Sequence, residues 1–80
     1  MTEQQIENRH QVSEALRNAT TRAHDAAKHL KEIFEMSAFS VVEHDLVKAI
    51  GDQLIASFYL GRHVADLIDA ETAKQQKDQV

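Results

Sequence analysis

Apolar residues in the first half of the chain recur at helical spacing. Val12, Leu16, Ala19, Ala23, Ala26, Leu30, Ile33 and Ser37 follow one another by alternating steps of four and three. That is a coiled-coil seam held for more than three heptads. Ala15, Ala27 and Phe34 widen it, and its alanine-rich middle lets a neighbouring helix come close. Thr2 with Gln5 has the spacing of a capping box, which starts a first helix near residue 3 and carries it to about 37. The regular seam begins only at Val12, so the preceding residues are expected to fray.

A second pattern begins after residues 36–40. Ser40 with Glu43 is another capping-box signature, and it predicts a helix from 41 to about 72. No Gly marks the end of the first helix, so one continuous helix is the competing reading. The main stripe of the second helix is Leu46, Val47, Ile50, Leu54, Phe58, Gly61, Val64, Ala65 and Ile68. Ser57, Gly61 and Ala65 lie four apart and permit close helix contact. A glycine inside a helix costs ~1 kcal/mol relative to alanine, and close packing at Gly61 would offset that. Residues 73–80 are polar, show no stripe and read as a fraying tail.

Two long helices joined by a short loop should fold back as an antiparallel hairpin. Such a hairpin has no interior, and two helices rarely offset the entropy of ordering a chain of 80 residues. The segment LIASFYLG, residues 54–61, sharpens the problem, because it is apolar almost all the way round. Leu60 and Leu67 flank the side that meets the first helix and call for a second neighbour. The expected fold is therefore all-α, one domain, with two hairpins pairing into a homodimeric four-helix bundle. Leu16, Ala23, Leu30, Ile33 and Phe34 of the first helix, with Leu46, Ile50, Leu54, Phe58, Gly61, Val64 and Ile68 of the second, are the expected core and dimer residues. A different protein covering the stripe is the rival. The plan resembles the plasmid copy-number regulators of the Rop type in architecture alone. No residue motif accompanies that resemblance, and no functional residue is carried over from it.

Composition narrows the function. There is no Pro and no Cys, and only two Gly. That favours helix and rules out a disulfide framework or a thiolate metal site. The start of the chain is too polar for a signal peptide, and the longest apolar run, about seven residues, is far below a membrane span. A cytoplasmic protein is expected, bacterial or phage on size alone. Acids outnumber Lys plus Arg by 13 to 9, which disfavours general binding to nucleic acid or to anionic membranes.

The charge is uneven. Residues 1–38 hold six acids and five bases, and residues 39–72 six acids and two bases. Ile55 and Tyr59 lie opposite the main stripe of the second helix, on a side shared with Lys48, Asp52, Arg62, His63 and Asp66. An apolar pair ringed by charges has the make-up of an interaction patch with a polar rim, although single exposed apolar residues are also normal. Asp52, Ile55, Tyr59, Arg62, His63 and Asp66 are the expected partner-binding residues. The partner would be a protein with a basic surface, and the chain a regulator or inhibitor. The alternative is a dimer that binds RNA or DNA through the row His10, Arg17, His24 and Lys31, with Lys28 beside it.

Five histidines raise the question of metal. Glu7 with His10, Asp25 with His29, and His63 with Asp66 have helical spacing. The seams offer no further inward carboxylates, and such pairs fit solvated helix contacts. No phosphate loop, nucleophile elbow or zinc motif occurs. No enzyme activity, metal or cofactor is expected.

Overall fold

A computed structural model describes residues 1–36 and 39–78. Two helices, α1 (Glu3–Phe34) and α2 (Val41–Asp78), pack against each other, and no strand is present among the described residues. Both helix starts follow from local chemistry. The Thr2 hydroxyl accepts from the Gln5 backbone N–H at 3.1 Å, and the Gln5 side chain accepts from the Thr2 N–H at 2.8 Å. Ser40 and Glu43 repeat the arrangement at 3.2 and 3.0 Å. These reciprocal bonds satisfy two of the N–H groups that a helix start leaves without partners. The Ser40 bonds also hold the Glu43 carboxyl below its ordinary pKa, the backbone N–H contributing most.

The first helix ends at Phe34, with Glu35 and Met36 in a turn, three residues short of the expected end. Ser37, the last position of the expected seam, lies outside the described residues, as do residues 79 and 80 of the tail. The second helix runs to Asp78, beyond the expected end at Thr72. Ala, Gln and Lys between them are strong helix formers, and Gln75 donates to Glu71 one turn back at 3.1 Å. At 1.5 Å per residue, 38 residues span ~57 Å. The molecule measures 60 × 13 × 13 Å, a rod one helix pair thick.

The antiparallel register is fixed by contacts at the open end and in the middle of the rod. The Arg9 guanidinium donates to the Thr72 hydroxyl at 2.7 Å, and Thr20 lies against Gly61. Carried along the rod, this register sets Ser13 near Ile68, Leu16 near Ala65, Ala23 near Phe58, Ala27 near Leu54, Leu30 near Gly51 and Phe34 near Val47. Small residues mostly face large ones. All of these positions are buried or half-buried. Gly61 has a clear reason to be glycine: a Cβ there would overlap the Thr20 methyl and stand 3.4 Å from the Thr20 Cβ. The close approach expected around Gly61 and Ala65 is present, whereas Ser57 is exposed.

The seam inside the hairpin is not the stripe with the most regular apolar spacing. It keeps Leu16, Ala23 and Leu30, takes in Ala27 and Phe34 that widen the expected stripe, and adds Arg9, Ser13 and Thr20. Val12, Ala19 and Ala26 are left exposed beside it. Among the described residues the only buried apolar ones are Ala27 and Ala65, so the hairpin encloses no large hydrophobic side chain.

Candidate interaction surfaces

The two flanks of the seam differ in chemistry. In an antiparallel pair, residues one step after the inner seam positions face each other on one side, and residues one step before face each other on the other. The first flank sets His10, Arg17, His24 and Lys31 beside Lys48, Ile55, Arg62 and Asp69. The second sets Val12, Ala19, Ala26 and Ile33 beside Ile50, Ser57 and Val64, with Leu46, Leu60 and Leu67 one row further out. The inner rows of this second flank, Val12 to Ile33 and Ile50 to Val64, carry no charge, while Arg22 and His29 stand in the outer row on α1 and Gln53 in that on α2. Leu60 and Leu67 remain 65% and 56% exposed there. Ile50 and Leu46 are also exposed.

The charged flank is organised around Arg17. Its guanidinium reaches Asp66 at 2.7 Å and Asp69 at 2.6 Å. Bonds to Asp69 and then Asp66 raise the Arg17 pKa above its already high value. The Asp69 carboxyl is held below its ordinary value, by the Ser13 hydroxyl first and by Arg17 second. Further along, the His24 ring lies 4.8 Å from Phe58, and the Arg62 guanidinium sits 5.4 Å above that same ring. Tyr59 packs edge-on against Phe58 at 5.2 Å while staying 66% exposed.

The six residues expected to bind a partner are therefore split. Ile55 and Arg62 border the groove between the helices, Asp52, Tyr59 and Asp66 form a ridge on the outer side of α2, and His63 lies beyond it. Asp66 is turned toward Arg17. The basic row on α1 is interrupted in the same way: Arg17 is held by two carboxylates and the His24 ring packs at a tilt against Phe58. Lys28 and Lys31 remain, and they meet Lys48 across the groove. An unbroken track for phosphates is not formed, which lowers the support for the nucleic-acid alternative.

Those lysines surround a cavity of about 400 Å³ near the loop end. Ala27, Leu30, Phe34, Gly51 and Ile55 give it an apolar lining, with Lys28, Lys31, Lys48, His24 and Asp52 completing it. Gly51 is the reverse of Gly61, because a Cβ added there meets nothing within 4 Å. The sequence signal for this space was a second mid-helix glycine, but only the register reveals that nothing fills the space beside it.

Elsewhere the histidines make loose contacts with neighbouring carboxylates, His29 with Glu32 at 3.8 Å and His44 with Asp45 at 3.7 Å. Among the described residues no three His, Asp or Glu side chains gather as a metal site, and no helix is long and apolar enough to cross a membrane. Comparison with family models, with curated proteins and with solved structures finds no match.

Proposed function

We propose that this chain is a protein-interaction module. In this reading it pairs with a second copy through its apolar-rich flank, forms a four-helix bundle, and presents the outer side of α2 to a basic surface on a partner protein. The observation that carries it is the apolar flank from Val12 to Ile33 and from Leu46 to Leu67, which the hairpin leaves open. The surface area points the same way. A compact monomer of 9.0 kDa exposes about 4,900 Å². This chain exposes 6153 Å², an excess of about 1,300 Å². Stable interfaces cover about 800 Å² per partner, and obligate homodimers more. One such pairing would absorb the excess.

Asp45, Asp52, Tyr59 and Asp66 recur every seven residues along the outer ridge of α2, so the ridge is acidic with one large aromatic anchor. Such a ridge suits a regulator or inhibitor that occupies a basic site on another protein.

Light scattering behind size exclusion tests the pairing. A mass twice 9.0 kDa is expected, falling to the monomer in Leu60→Glu with Leu67→Glu. A wild-type monomer that melts cooperatively overturns the bundle. For the partner surface, a nuclease-resistant protein captured by wild type should be lost in Tyr59→Ala with Asp52→Lys, with mass and melting unchanged. Retention in that variant removes the ridge from the argument.

A further inference from the structure

We propose that the cavity beside Gly51 is a binding site for a single-chain anionic amphiphile, in chemical class a medium-chain carboxylic acid. Three observations converge on it. First, Gly51 opens space that nothing in the hairpin uses, since no heavy atom lies within 4 Å of where its Cβ would be. A glycine in mid-helix without a packing partner weakens the helix for no gain inside the hairpin. A ligand lying over Gly51 supplies the missing gain.

Second, the shape suits one chain. The cavity holds about 400 Å³ and has an apolar floor of Ala27, Leu30, Phe34 and Ile55. That is within the volume range of small-molecule sites. It is bounded at the loop end by Phe34, whose ring packs on Phe39 and His44 at 5.7 and 4.7 Å. At the other end it is bordered by His24, whose ring lies 4.8 Å from Phe58. Between His24 and Phe34 the helix advances ~15 Å. An extended medium-chain alkyl group fits along that stretch.

Third, the rim selects the head group. Lys28, Lys31 and Lys48 border the cavity against a single carboxylate, Asp52. In a chain of net charge -4 this is a local excess of positive charge, and it favours an anion. The cavity lies on the charged flank, so the pairing of two copies through the opposite flank does not cover it. It shares Asp52 and Ile55 with the surface proposed for a partner, so a bound amphiphile would alter that surface.

The test uses the full chain and decanoate below its micelle concentration, followed by NMR. Decanoate is expected to shift the amide signals of residues 27, 30, 51 and 55 saturably, with decyltrimethylammonium binding at least tenfold more weakly. Gly51→Leu should weaken decanoate binding tenfold or more without lowering the melting temperature. Lys28→Gln with Lys31→Gln should weaken it about as much. If the leucine distorts the hairpin, Gly51→Ala, which adds one methyl to open space, should still weaken binding several-fold while raising the melting temperature. Equal affinity for the cationic amphiphile overturns the proposal, as do shifts confined to Leu60 and Leu67 or undiminished binding in both Gly51 variants. A changed oligomeric mass in Gly51→Leu overturns it too, because the space would then belong to the second copy.

Discussion

The same substitution at the two helix glycines should have opposite consequences. Replacing glycine by alanine in a helix interior gains ~1 kcal/mol of intrinsic helix stability at either site. At Gly51 the added methyl enters open space, so Gly51→Ala keeps that gain. For a domain of this size ~1 kcal/mol raises Tm by about 4–8 °C. At Gly61 the methyl would overlap Thr20 Cγ2, and Thr20 is itself only 7% exposed and cannot swing away into solvent. Its hydroxyl is tied to the Arg17 carbonyl at 3.0 Å, which fixes the methyl toward α2. Overpacking of this kind costs about 1–3 kcal/mol. Gly61→Ala should therefore be neutral to ~2 kcal/mol destabilising, and the two variants should differ by about 1–3 kcal/mol. Thr20→Ser removes the methyl and keeps the hydroxyl, so in that background Gly61→Ala should recover most of the loss, a coupling that a double-mutant cycle isolates. Thermal melts at one fixed protomer concentration are the assay, because any self-association makes Tm depend on concentration. If Gly61→Ala raises Tm as far as Gly51→Ala does, the helices do not touch at Thr20 and the register is wrong.

Two further outcomes follow from local chemistry. Ser40→Ala removes the side-chain cap of α2 and should cost about 1 kcal/mol in urea denaturation; the backbone N–H of residue 40, which donates to the Glu43 carboxyl at 3.0 Å, is kept, so by NMR that carboxyl should stay below its ordinary range and rise only by the smaller hydroxyl share. Asp69 has a folded pKa held below its unfolded one, so its contribution is present above the unfolded value, near pH 4, and is lost as pH falls through the folded value. Tm should therefore drop on acidification below about pH 4, and the drop should be shallower in Asp69→Asn; equal slopes in the two proteins would mean that the Ser13 and Arg17 bonds contribute nothing.

The sequence carried the two helices and their starts plainly, because Thr2–Gln5 and Ser40–Glu43 act over three residues and need no tertiary context. The end of α2 was less legible: residues 73–78 have no apolar stripe, yet Arg9 reaches Thr72 and the neighbouring turn continues on helix propensity. The glycines show where local reading stops. Gly51 and Gly61 look alike in the sequence, and only the facing residue, Leu30 in one case and Thr20 in the other, makes one a gap and the other a contact. The Arg17 bridge was similarly hidden, since Arg17 and Asp69 are brought together by the antiparallel register and by nothing in their spacing.

The seam of α1 is the most informative difference. Two stripes share Leu16, Ala23 and Leu30; one adds Val12, Ala19, Ala26 and Ile33, the other Ser13, Thr20, Ala27 and Phe34. Periodicity alone favours the first, since burying valine and isoleucine returns more than burying serine and threonine. The hairpin takes the second. Thr20 gives close contact with Gly61, and the Ser13 hydroxyl helps hold the Asp69 carboxyl below its ordinary value, so the second stripe meets α2 through close fit and polar contacts. A hairpin held only by such a seam buries little apolar surface, which is a weak basis for ordering two helices of 32 and 38 residues. The more apolar flank is left facing outward along with Leu46, Ile50, Leu60 and Leu67. A chain selected to be stable as a lone hairpin would place its most apolar stripe between its own helices. Setting Ser13 and Thr20 inside while Val12, Leu60 and Leu67 stay exposed is a distribution that suits a second neighbour. That is why we favour the paired bundle over the isolated hairpin.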